Sequence, residues 1–459
     1  MTKPTLLDLD RQHLIHPVTN FRAHEKRGAT ILESGSGAFL RDASGRELLD
    51  AFSGLWCVNT GYGQESIVQA ATEQMRRLPY ATGYFSYGSE PAIRLAARLV
   101  ELAPPSLSHV YFTQGGSDAV DAAIRYIAYY YNAIGQPGRT QFISLQRGYH
   151  GSSSVGAGLT ALPLFQRHFN LPLPSQHYIS SPYPYRNPLG ADPQALIAAS
   201  VAELRAKVAQ LGADTVAAFF CEPIQGSGGV IVPPKGWLKA MADACRELGI
   251  LFVLDEVITG FGRTGPMFAC EAEGVAPDMM TLAKGLTAGY APMGALMMSD
   301  AIYQAIAEGA GPELAVGHGQ TYSAHPVSAA IGLEVLRLYQ EGGLLANGVA
   351  RAPQFERGLR DLLAHPLVGD ARSRGLLGAL ELVADKEDKR QFDPALRLHE
   401  RIAQAAYENN VVFRAFGDNI LGFAPALCYT EDEFSLLFTR LKATLDQVLA
   451  QPEVARALT

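Results

Sequence analysis

Two charged residues at the ends of apolar runs are the first in this 459-residue chain whose types and positions could do chemistry. Asp255-Glu256 closes the run Leu251-Phe252-Val253-Leu254, and Lys284 follows Met279-Met280-Thr281-Leu282-Ala283. An unpaired charge beside such runs is costly, which weighs against the plain reading of a solvated aspartate and a solvated lysine. A lysine of lowered pKa can form a Schiff base with a carbonyl cofactor. A carboxylate beside a pyridine nitrogen keeps that nitrogen protonated, so the ring can accept electrons. Lys284 is therefore the expected Schiff-base lysine and Asp255 the expected partner of a cofactor ring nitrogen.

Three further stretches could complete such a site. Gly115-Gly116-Ser117-Asp118 follows the short run His109–Thr113 and opens a long helical pattern. A helix N-terminus with close-approach glycines suits a phosphate, although simple capping by Ser117 or Asp118 accounts for the same residues. The spacing matches neither a Walker sequence nor a dinucleotide fingerprint. Tyr149-His150 ends the next run, where an aromatic suits stacking on a flat ring and a buried structural tyrosine is the plainer alternative. Glu222 ends the run Val216–Phe220, where pairing with a cation or a backbone donor and a purely structural role stand level.

The elements that must position these residues alternate. Strands are expected at 109–113, 140–145, 216–220 and 250–254, with helices between them to about 133, at 193–211 and at 237–248. Residues 152–184 read as loop. Alternation from about Val110 to Met298 calls for a mostly parallel sheet covered on both faces. Before it, residues 1–35 read as an extended arm with a first short element. A hairpin is expected across Asp42–Gly45, and a helix at 65–78 with Ile67, Ala70, Ala71, Met75 and Leu78 on one face. After Ala324 the pattern turns to α+β. The expected division is 1–64 (arm and part of a small domain), 65–325 (large cofactor-binding domain) and 326–459 (C-terminal small domain).

Composition narrows the class. The chain is 48% hydrophobic and 18% charged, as in ordinary globular proteins. A net charge of −7 and pI near 5.9 argue against a nucleic-acid surface. No uninterrupted apolar stretch is long enough for a membrane span, and the first residues lack a signal-peptide core. The five cysteines form no CxxC pair, so free thiols in the cytoplasm are expected and no metal site is indicated.

Taken together, Asp255-Glu256-Val257, the GFGRTG loop, Asp278 and Ala283-Lys284-Gly285 resemble the signature of class III, pyridoxal-phosphate-dependent aminotransferases of fold type I. GGSDAVDAA, RGYHGS, EPIQGSGG and GHGQTYSAHP extend the resemblance over nearly the whole chain. It implies an α/β fold with a large, mostly parallel seven-stranded sheet and a smaller α+β domain. It implies that Lys284 holds pyridoxal 5'-phosphate and shuttles the proton, and that Asp255 pairs with the pyridinium. Val257 and Tyr149 would flank the ring, with Gly116 and Ser117 on the phosphate. His150 is counted with the cofactor-binding residues, and Glu222 is placed near the ring hydroxyl or a mobile arginine. Thr321 would reach the phosphate of a neighbouring subunit, which implies a homodimer with shared active sites, or a tetramer of such dimers.

Within the family, Leu55-Trp56, Tyr149-His150-Gly151-Ser152 and Phe413-Arg414-Ala415 resemble ω-amino acid:pyruvate and amine:pyruvate transaminases. In that branch the residue matching Arg414 swings in to bind a carboxylate. Ser152 stands where the γ-aminobutyrate and ornithine branches carry arginine, which disfavours 2-oxoglutarate as acceptor. The expected function is ping-pong transfer of an amino group from an ω-amino acid, diamine or primary amine to pyruvate. Trp56, Tyr84, Phe85, Tyr149 and Arg414 are the expected substrate-pocket residues. The alternatives are a 2-oxoglutarate-dependent aminotransferase or another reaction on the same cofactor (aminomutase, racemase, decarboxylase). From a different class, a phosphate-ligand-binding protein without catalysis would be expected to have lost Lys284 or Asp255.

Overall fold

The computed structural model describes residues 4–189, 192–311 and 313–458. Its centre is a seven-stranded sheet in the spatial order Leu107–Thr113, Gly294–Ser299, Met279–Leu282, Leu251–Asp255, Val216–Cys221, Gln141–Leu145, Gln176–Ile179. Only Gly294–Ser299 runs against its neighbours; the others point the same way. Every residue of Val216–Cys221, Leu251–Asp255 and Met279–Leu282 is buried. That is why these strands read as continuous apolar runs, since helices cover both faces of a parallel sheet. The α/β class expected from the alternation is the fold observed.

Parallelism has a direct consequence for chemistry. The ends of five strands (at Thr113, Leu145, Cys221, Asp255 and Leu282) lie on one edge of the sheet, so residues far apart in sequence converge there.

Two four-stranded sheets accompany the large one. In the first, the antiparallel strands Leu32–Ser36, Phe39–Asp42 and Glu47–Asp50 are joined by Val411–Val412, which runs parallel to the last of them. In the second, Val368–Arg374, Leu377–Leu382, Ile420–Phe423 and Arg414–Ala415 pair antiparallel. A satellite core of Phe52, Trp56, Ile224, Ile258, Leu377, Phe416 and Ile420 ties these segments to the loops above the large sheet.

Two expectations need correction. The N-terminal arm is helical at Leu6–His13 and Phe21–Arg27. A capping box at Thr5 and Asp8 starts the first of these, a signal present in Thr5-x-x-Asp8. Gln176–Ile179 is an edge strand inside the stretch read as loop. The helix Glu65–Arg77 buries Ile67 and Gln74, whereas Met75 and Leu78 are 57% and 42% exposed. Apolar periodicity shows which residues share a face, and says nothing about which chain covers it.

Candidate active site

Asp255 is the last residue of its strand and almost fully buried. Its Oδ1 accepts a hydrogen bond from the Val257 backbone N–H at 3.1 Å, closing a local turn. Its Oδ2 lies 2.8 Å from His150 Nδ1. A carboxylate only accepts, so the shared hydrogen belongs to the imidazole. Burial acts to lower the His150 pKa, but the hydrogen bond and charge of Asp255, with the charge of Glu222, outweigh it and the net shift is upward. His150 thus stands as a positioning group for Asp255, and its own backbone N–H donates to Thr160 Oγ1 at 2.8 Å.

Lys284 begins a single 3₁₀ turn after Met279–Leu282. Its φ of +40° lies in the left-handed region. That conformation costs a residue with a Cβ about 1–3 kcal/mol and collects at functional sites. Among the described residues its ammonium has no hydrogen-bond partner. Burial lowers its pKa, against the opposing charges of Asp255, Cys57 and Glu222. A buried lysine with a depressed pKa is a nucleophile in waiting.

A cavity of about 110 Å³ lies between these groups, walled by Gly116, Ser117, Tyr149, His150, Gly151, Glu222, Asp255, Val257, Ile258, Ala283 and Lys284. Glu222 is buried in this wall and accepts from the Tyr149 N–H and the Gly226 N–H, both at 2.9 Å. Burial pushes its carboxyl up to about 7, with His150 opposing and Asp255 adding to the rise.

Two glycines make room for an occupant. A Cβ on Gly116 would stand 3.0 Å from Val257 Cγ1. One on Gly151 would stand 2.6 Å from Ser117 Oγ, at a backbone φ of +105°. The helix Gly116–Ala133 starts at Gly115 with no side-chain cap, so its first amides remain available. Ser117 Oγ accepts from the Ser152 N–H at 3.2 Å, which leaves its own hydrogen free to donate. Uncapped amides, a hydroxyl and a glycine cradle fit a phosphate. The buried carboxylate and unpaired lysine fit a pyridine ring bearing an aldehyde.

The remaining expected residues lie elsewhere. Trp56 is 2% exposed and does not wall the cavity; it packs edge-on against Phe52 at 4.9 Å and tilts toward Phe416 at 6.5 Å. It belongs to the satellite core that borders the loops above the large sheet. The Arg414 guanidinium sits 5.1 Å from the Phe416 ring, and its charge acts on Tyr149. Tyr84, Phe85 and Thr321 face outward in the protomer, Phe85 at 86% exposure, away from this cavity. Gly151, Ile258 and Ala283 line it without having been singled out. Gly151 adjoins the Tyr149-His150 pair in sequence, so only its closeness to Ser117 was hidden.

Residues 21–445 match the family described as aminotransferase class-III. The chain is 38% identical to putrescine–pyruvate aminotransferase of Pseudomonas aeruginosa, over 96% of each chain. It is 36% identical to diaminobutyrate–2-oxoglutarate transaminase of Halomonas elongata, over 97% of each. In structure it resembles the omega transaminase of Pseudomonas jessenii solved in complex with PMP. The TM-score is 0.95 at 36% identity, covering 97% of this chain and 98% of that one. The chain belongs to the class III aminotransferases. It is a pyridoxal-phosphate-dependent enzyme that moves an amino group between an amine and a keto acid.

Proposed function

We propose that this enzyme transfers the terminal amino group of an ω-amino acid, diamine or primary amine to pyruvate. The observation that carries the acceptor is Arg414. Its guanidinium is partly buried beside Tyr149, and among the described residues it has neither an ion pair nor a hydrogen bond from its side chain. A guanidinium so placed suits bidentate capture of a keto-acid carboxylate. The similarity to a putrescine–pyruvate enzyme supports pyruvate, and Ser152 at the place of an arginine in 2-oxoglutarate branches points the same way.

In this reading the cofactor supplies an aldehyde that carries the amino group and a ring that accepts electrons. Lys284 would hold it, and Lys284 Nζ would take up and return the proton of the amine-bearing carbon. Asp255, braced by His150, would keep a proton on the ring nitrogen. Gly116 and Ser117 would hold the phosphate, with Val257 and Tyr149 available to pack on the ring. Glu222 sets the Tyr149 backbone.

Arg414→Leu should lower kcat/KM for pyruvate by about 10²-fold, mostly through KM, the scale of losing one partner of a desolvated charge pair. The half-reaction with a carboxyl-free amine should change by less than about threefold, since no carboxylate is lost from that donor. Equal losses in both half-reactions, or faster turnover with 2-oxoglutarate than with pyruvate in the wild type, would overturn the assignment.

We also read the working unit as a homodimer. Tyr80 Oη donates to the Thr321 carbonyl at 2.9 Å, and the Tyr80 and Tyr322 rings meet edge-on at 6.2 Å. Around them Met75, Leu78, Tyr84, Phe85 and Tyr322 form an exposed apolar surface of the protomer. Exposed apolar and aromatic side chains gathered on neighbouring segments suit an association site, and a second copy seated there would bring Thr321 toward a partner's phosphate. Equilibrium sedimentation of the holoenzyme as a monomer at micromolar concentration would remove this part of the reading.

A further inference from the structure

In the protomer the N-terminal arm has no apolar core of its own. Neither Leu6–His13 nor Phe21–Arg27 has a buried residue, and Leu6, Leu7, Leu14, Ile15 and Phe21 are exposed. The polar fastenings between the two helices are Arg11, which donates to the Arg27 carbonyl at 3.3 Å, and a cluster of two histidines and an aspartate.

Where the two helices meet, three side chains converge. Asp10 comes from the first helix, His16 from the connection and His24 from the second. His16 Nε2 lies 2.6 Å from Asp10 Oδ1, and His24 Nε2 lies 3.2 Å from Asp10 Oδ2. The ligand atoms of all three lie within 4.8 Å of one another, and the two imidazole centroids are 4.7 Å apart. Asp10 Oδ2 and His24 Nε2 are buried and, although within ion-pair distance, are not aligned for a hydrogen bond with each other; the Ala29 backbone adds a contact to the Asp10 carboxylate. Two buried polar atoms facing each other without a bond leave an unmet demand that a cation between them would satisfy.

We propose that Asp10, His16 and His24 bind a divalent transition ion, of the zinc or nickel type, that clasps the two arm helices together. Two imidazoles and a carboxylate are borderline ligands, which favour such ions over magnesium or calcium. Donor atoms around a tetrahedral zinc ion stand roughly 3.3 Å apart, given bonds of about 2.0–2.1 Å. The Asp10–His24 separation already has this value, and His16, the most exposed of the three at 29%, can open the shorter contact by rotating. Water completes the coordination. The site is separate from the cofactor cavity, which none of the three residues lines.

The test uses untagged holoenzyme stripped of metal with a chelator. Calorimetric titration with zinc chloride and with nickel chloride should show one ion per protomer at low-micromolar affinity. Asp10→Asn and His24→Asn should each weaken this at least tenfold, while His13→Asn, which lies outside the cluster, leaves it unchanged. The visible absorbance of the bound cofactor, the same in all variants, reports that the body of the enzyme remains folded. Zinc should also slow tryptic cleavage at Arg11, Lys26 and Arg27 severalfold in the wild type but not in Asp10→Asn. Absence of uptake, or uptake indifferent to both cluster variants, overturns the proposal and leaves a bare histidine–aspartate contact.

Discussion

Lys284→Ala should abolish transamination and the absorption band of the lysine-held cofactor while leaving the protein folded. Two roles fall on one amine in the proposed reading: attachment of the cofactor and carriage of the substrate proton. Each such role is worth about 10²–10⁴-fold, so the combined loss should be roughly 10⁴-fold or more. The structure explains why no neighbour can take over. Among the described residues Lys284 is the only lysine in the cavity wall, and its depressed pKa comes from desolvation at that position. Folding should survive because the side chain makes no hydrogen bond among the described residues. Removing a partly buried amine also relieves some desolvation cost, and the left-handed backbone at φ +40° is strained for alanine as it is for lysine. The measurement is single-turnover absorbance with a saturating amine, beside a thermal melt of the apoprotein. Retention of both band and turnover would sink the role of Lys284.

Asp255→Asn should be the second most damaging change, with kcat lowered by roughly 10²–10³-fold, the scale of losing one preorganised electrostatic contact to the charge that develops during reaction. The amide keeps an oxygen for the Val257 N–H and nearly the same volume, so the local turn should persist. What it lacks is the charge that holds a proton on the ring nitrogen. A second readout separates this from a structural defect. Asp255 raises the His150 pKa through a hydrogen bond and its charge, against the lowering effect of burial. In Asp255→Asn the imidazole should therefore lose its proton at lower pH than in the wild-type apoprotein, a shift visible in the histidine NMR signals. Turnover within tenfold of wild type would show that Asp255 does not serve the ring nitrogen.

How much of this was readable beforehand differs by residue. Asp255 and Lys284 stood out because one ends and the other closely follows a fully buried strand, and a continuous apolar run leaves a charge conspicuous. Gly116 and Ser117 were visible as a strand-to-helix junction. The partnership of Asp255 with His150 was not, because it joins residues 105 positions apart through the order of parallel strands. Gly151 was adjacent to a named motif, yet its closeness to Ser117 is a contact between a loop and the first turn of a helix. Trp56 stood out within an aromatic and glycine-rich loop, but its packing with Phe52 and Phe416 in the satellite core comes from segments far apart in sequence. The arm was read as extended because His16-Pro17 favours extended backbone, and the short helices on either side are set by caps at Thr5 and Asn20.

By itself, then, the amino-acid order determined the alternation of elements, the α/β class and the chemical character of the strand ends, because these depend on local periodicity and on the cost of a charge beside apolar residues. Tertiary structure decided which ends share a cavity, which carboxylate has an imidazole behind it and which apolar faces stay open on the protomer. Those outcomes depend on strand order and on contacts between segments hundreds of residues apart, and no local pattern encodes them.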